Sequence, residues 1–165
     1  MSARSVSEFT SPFGASPTFG VGEEASRVET YFTQLQEHAL GSVALGKEKE
    51  DALTDLYVAF SESCAPGWDG YDAASASYDS YLRAKRFIQA LPANFPAPEV
   101  AVDPDGEVSL EWYCPTGRVF SVSIGANDEL TYAGKFSPTR KTHGTEIFTS
   151  QIPQVILDNI RRVMA

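Results

Sequence analysis

The hydrophobic pattern changes period once, between Pro92 and Pro98, and that change sets the class of fold open to this chain. Upstream, apolar residues recur at helical spacing. Val28, Tyr31, Phe32, Leu35 and Ala39 predict a helix over 23–40, and Gly41 and Gly46 break it. Leu53, Leu56, Tyr57 and Phe60 form one stripe and predict a second helix over 48–63, stopped by Pro66-Gly67. Ser75 or Ser77 can cap a third helix over 77–91, with Tyr78, Tyr81, Leu82, Ile88 and Leu91 on its apolar side.

Downstream, the period becomes two. Val100 and Val102 start a short strand, and Asp103-Pro104-Asp105-Gly106 is a turn signal. Over 107–113, Val108, Leu110 and Trp112 share one face, while Glu107, Ser109, Glu111 and Tyr113 share the other. Pro115-Thr116-Gly117 turns the chain, and Phe120, Val122 and Ile124 point inward on the next strand. A turn at 125–128 leads to Leu130 and Tyr132 at the same spacing. Residues 135–144, with Lys135, Arg140, Lys141 and His143, read as a loop, followed by a short edge strand at 145–149. A last helix over 152–164 starts near Pro153 and carries Ile152, Val155, Ile156, Ile160 and Val163. The expected fold is α+β: a four- to five-stranded antiparallel meander over about 99–149, packed against helices 23–40, 48–63, 77–91 and 152–164.

A length of 165 residues fits one domain with a core, placed at 23–165. Residues 1–22 are rich in Ser, Gly, Pro and Thr and read as a flexible arm; Phe9, Phe13 and Phe19 would dock it on the domain's own core, with docking on a partner as the alternative. No apolar run is long enough for a membrane helix, and no basic n-region precedes an apolar segment. The two cysteines, Cys64 and Cys114, have no metal-binding spacing. A disulfide between them is one reading; without an export signal, reduced thiols in a cytosol are the expectation.

Charge is unevenly placed. Residues 1–82 carry thirteen acids and four bases; residues 83–165 carry nine of each. The segment 48–79 holds Glu48, Glu50, Asp51, Asp55, Glu62, Asp69, Asp72 and Asp79 against Lys49. Glu48, Asp51, Asp55 and Glu62 fall within about 60° of arc on a helix, opposite the apolar stripe. Solubility is the plainer role of such charge; attraction of a basic partner and repulsion of nucleic acid are the functional one.

Catalytic motifs do not emerge. His38 and His143 have no local metal partner, and no P-loop, G-x-S-x-G or G-x-G-x-x-G occurs. Cys64 lies at a helix end that disfavours a thiolate, while Cys114 gains only Arg118 as a neighbouring cation. Asp69 and Asp72 could converge with Glu107 and Glu111 into a carboxylate or metal site, although each is also ordinary turn or solvent-face chemistry. No cofactor is called for.

The segment Gly67-Trp68-Asp69-Gly70-Tyr71-Asp72 sets two aromatics and two carboxylates around a glycine. A loop tryptophan either plugs the end of the core or anchors a partner. The plug is the expectation for Trp68, with Asp69 capping the following backbone and Tyr71 and Asp72 exposed. Trp112, sharing a face with Leu110, belongs to the core.

Gly67 to Tyr71, Leu91-Pro92, the run Pro104-Asp105-Gly106-Glu107-Val108-Ser109-Leu110-Glu111-Trp112 and Tyr132-Ala133-Gly134 together resemble a family of small uncharacterised bacterial proteins. The resemblance covers about residues 66–135, and Ala73 and Ala74 match an alanine that follows the family's Trp-Asp-Gly-Tyr. It implies a bacterial or mobile-element origin and attaches no reaction.

The reading that follows is a cytoplasmic, acidic, non-enzymatic binding protein. Glu48, Asp51, Asp55, Glu62, Trp68, Asp69, Tyr71 and Asp72 would meet a basic protein partner or a nucleoprotein complex, without direct nucleic-acid or membrane binding. Antitoxins, immunity proteins and phage anti-defence inhibitors share this profile. The alternatives are an enzyme with a carboxylate or metal site near Asp69, Asp72 and Glu111, and a structural or assembly protein of a mobile element.

Overall fold

The computed structural model describes residues 46–165. The expected arm, its three phenylalanines, His38 and the expected helix 23–40 lie outside them. From residue 46 the chain runs as helix α1 (46–62), helix α2 (Tyr78–Ala90), strands β1 (Glu99–Val102), β2 (Val108–Cys114), β3 (Arg118–Ile124), β4 (Glu129–Ser137) and β5 (Arg140–Ile147), and helix α3 (Gln154–Met164). The strands form one antiparallel sheet in sequence order, β1-β2-β3-β4-β5, an open meander.

The period of two decides which face is covered. Val108, Leu110, Trp112, Phe120, Val122, Ile124, Leu130 and Tyr132 are buried beneath the helices. Trp112 also satisfies its indole N–H, which donates to the Pro96 carbonyl at 2.9 Å. Ala84, Phe87 and Ile88 of α2 and Ile156, Ile160 and Val163 of α3 complete the layer, joined by Ala52 and Leu56 of α1. Ser77 caps α2 by accepting from the Ser80 amide. Pro153 stands at the start of α3.

Three local expectations change. Residues 135–144 are not a loop: β4 continues to Ser137, and β5 starts at Arg140 and ends at Ile147. A two-residue Pro138-Thr139 connection suffices to pair Ser137 with Arg140. Alternation across Lys135, Phe136, Lys141 and Thr142 extends the ladder, a pattern hidden by its polar residues. Second, Tyr57 is 61% exposed, because the buried stripe of α1 centres on Ala52 and Leu56 with Leu53 and Phe60 beside it. Third, Tyr78 of α2 is exposed and stacks against Tyr81, and both rings lie beside Phe60.

Candidate partner-binding surface

α1 delivers its carboxylates to solvent. Glu48, Glu50, Asp51, Asp55 and Glu62 are all exposed. Lys49, embedded among them in sequence, does not neutralise them. Its ammonium donates to the carbonyls of Leu91 and Gln89, completing the C-terminal end of α2. That places a cation where a helix exposes unpaired carbonyls. Among the described residues no carboxylate of α1 joins an ion pair. Glu62 stands in the last turn of its helix, where the macrodipole disfavours an acid.

The loop that follows is held by its own backbone. Gly70 N–H donates to the Gly67 carbonyl at 3.0 Å, and Gly67 N–H to the Ala73 carbonyl at 2.8 Å. Gly67 and Gly70 take positive φ, at 71° and 83°. The Asp69 carboxylate accepts from the amides of Tyr71 at 2.8 Å and Ala73 at 3.4 Å, so it caps the turn as expected. Tyr71 is 84% exposed, and Asp72 is exposed beside it.

Trp68 is not the core plug. It is half-buried and stands outside the cluster of core side chains. Its indole N–H donates to the Ala74 carbonyl at 3.0 Å, so the ring clips the loop to itself. The physical reason lies in the next bonds. Ala74 N–H donates to the Pro104 carbonyl at 2.7 Å, Ser77 N–H to the Gly106 carbonyl at 3.2 Å, and Ala76 N–H to the Ser63 carbonyl at 2.8 Å. The loop is stitched to the β1–β2 turn by main-chain bonds, with no plug required. Residues 74–77, just after the Trp68 turn, and the Pro104–Gly106 turn thus form one joint.

The carboxylates expected to converge are divided among three places. Asp69 serves its own turn. Glu111 projects from the sheet face that no described helix covers, where Glu99 and Ser121 are its cross-strand neighbours. Glu107 accepts from the Ser123 hydroxyl and lies near Asp103 and Asp105 at the β1–β2 corner. Burial, and then the charges of Asp105 and Glu107, push the Asp103 carboxyl above its ordinary range. Among the described residues no group of three or more His, Cys, Asp or Glu side chains is placed to hold a metal ion.

The two cysteines are free thiols. Cys114 sits at the β2–β3 turn, where the Thr116 hydroxyl donates to its sulfur at 3.3 Å and Arg118 approaches at 3.6 Å. The Thr116 hydroxyl and amide, with Arg118 behind them, lower this thiol to about 7. Charge neighbours in sequence pointed to Arg118; the hydroxyl of Thr116 became visible only once the turn closed.

Sequence reasoning assigns Glu107, Ser109, Glu111 and Tyr113 to the sheet face that no described helix covers but does not find the hollow on it, because the residues of its floor carry short side chains. A hollow of about 490 Å3 opens there, with Val119, Ser121 and Ala133 on its floor and Glu111, Lys135, Lys141 and His143 around it. Compared with protein-family models, curated proteins and solved structures, the chain matches none. No helix among the described residues is long and apolar enough to cross a membrane.

Proposed function

We propose that this chain is a non-enzymatic binding protein that engages a basic protein partner through the acidic arc of α1 and the exposed tip of the Trp68 loop. The observation that supports this reading is the diversion of Lys49 to α2, with Glu48, Asp51, Asp55 and Glu62 on one exposed arc and, among the described residues, in no ion pair. Such an arc raises encounter rates with a positive surface. Tyr71 and Asp72, displayed by a turn that Asp69 holds rigid, supply an aromatic and a charge at its end. The profile suits an inhibitor, antitoxin or immunity protein that covers the basic surface of a toxin or nucleic-acid-binding protein.

The test is a charge reversal. Glu48, Asp51, Asp55 and Glu62 changed together to Lys should leave the fold intact, since solvent-face substitutions shift stability by about 0.5 kcal/mol or less each. Full-length wild type and variant are then used as bait in a bacterial lysate, and the captured protein is purified for kinetics. A basic protein held by wild type should associate at least ~10-fold more slowly with the variant, and its rate should lose salt dependence. Equal rates with both baits across a salt series would remove this surface from the mechanism.

A further inference from the structure

The uncovered sheet face carries its charges in an order that a solitary sheet would avoid. Directly opposed residues on one face of an antiparallel pair interact, and like charges there are unfavourable. Yet Glu99 is paired with Glu111 across β1 and β2, and Lys135 with Lys141 across β4 and β5. His143, opposite Ala133, adds to the same side as the lysines. Between the two pairs, β3 presents Val119, Ser121 and Ser123, none of them charged. Among the described residues neither lysine is in an ion pair. The face is therefore acidic on β1–β2, neutral on β3 and basic on β4–β5. Glu129, the carboxylate on β4, lies two same-face positions beyond Ala133 and is turned back on Asn127.

We infer that a second copy of this chain covers that face. A two-fold axis running along β3 reverses the order of strands without moving residues along them. It lays β1–β2 of one copy over β4–β5 of the other. Glu99 then faces His143, while Lys135 and Lys141, one same-face position or about 7 Å along the strands from the row of Glu99 and Glu111, reach toward those carboxylates with their long side chains, and the match occurs twice. Each unfavourable like-charge pair becomes half of an oppositely charged group. The hollow over Val119, Ser121 and Ala133 lies beside the axis and leaves room for the lysine stems of the opposing copy. Five strands about 4.8 Å apart and about seven residues long make a face of roughly 20 by 20 Å. Two such faces bury about 800 Å2 in all, below the usual range of stable interfaces, so the dimer is a weak one and weakens further with salt.

Sedimentation velocity of the full chain at low and high salt tests this. Wild type should move toward twice its monomer mass as concentration rises at low salt. Lys135→Glu/Lys141→Glu and Glu99→Lys/Glu111→Lys should each raise the self-association Kd at least ~10-fold. Mixed in equal amounts, the two reversed variants should associate with each other, because one face is then mainly acidic and the other mainly basic. Lys135→Ala/Lys141→Ala, which only removes charge from exposed positions, stands in for a reversed variant that does not fold. A monomeric wild type at every concentration would overturn the inference. So would a dimer indifferent to these changes, or folded reversed variants that ignore each other.

Discussion

Gly106 packs its α-carbon against the Ser75 carbonyl, so that a Cβ at this position would lie 2.6 Å from that oxygen. Its φ of 88° is a second obstacle to any side chain. Gly106→Ala should therefore cost about 3 kcal/mol or more, from left-handed strain plus a backbone clash. Gly70, with φ of 83° and open space around its missing Cβ, should lose only about 1 kcal/mol on the same change. Urea midpoints of the two variants decide it; equal losses would mean that the loop and the turn are not in contact.

The two tryptophans should differ in their contribution to stability. Trp112 is buried between Phe87 and Phe120, and Trp112→Ala should cost about 3–5 kcal/mol. Trp68 is half-buried and holds one hydrogen bond, so Trp68→Ala should cost about 1–2 kcal/mol. Chemical denaturation of both variants gives the comparison. A Trp68→Ala loss as large as that of Trp112→Ala would restore the plug.

Cys114 should react at neutral pH. The thiolate is the nucleophile, and a thiol lowered to about 7 is about half ionised there. In a Cys64→Ser background, the iodoacetamide alkylation rate should rise with pH and reach half its plateau near pH 7. Thr116→Val removes the hydroxyl that contributes most, so the inflection should move upward. An inflection near the ordinary thiol value of 9.0 in the Cys64→Ser protein itself would dismiss the role of Thr116.

Much of the fold was legible because burial imposes a period. Leu110, Trp112, Phe120 and Val122 alternate with polar neighbours, and the inward set is the one their spacing implied. The α2 cap at Ser77 was legible for the same local reason. Strand β5 was legible only at its end, where the expected edge strand at 145–149 overlaps it, since an edge strand buries little. Its residues, Lys141 and His143 among them, carry no apolar stripe to betray it. The Asp69 turn was readable from Asp-Gly. The purpose of Trp68 was not, because its anchor is the Ala74 carbonyl, and main-chain partners leave no trace in side-chain pattern. Nor does spacing reveal that Lys49 is spent on a helix end 42 residues away.

The stitching of residues 74–77 to the β1–β2 turn has a consequence for the order in which the molecule assembles. The amides of Ala74 and Ser77 find their acceptors on Pro104 and Gly106, carbonyls that reach position only after Asp103 and Gly106 have closed the hairpin. A helical fragment ending before that hairpin would leave these donors to water. On the ribosome, the segment between α1 and α2 must wait for a turn synthesised some thirty residues later.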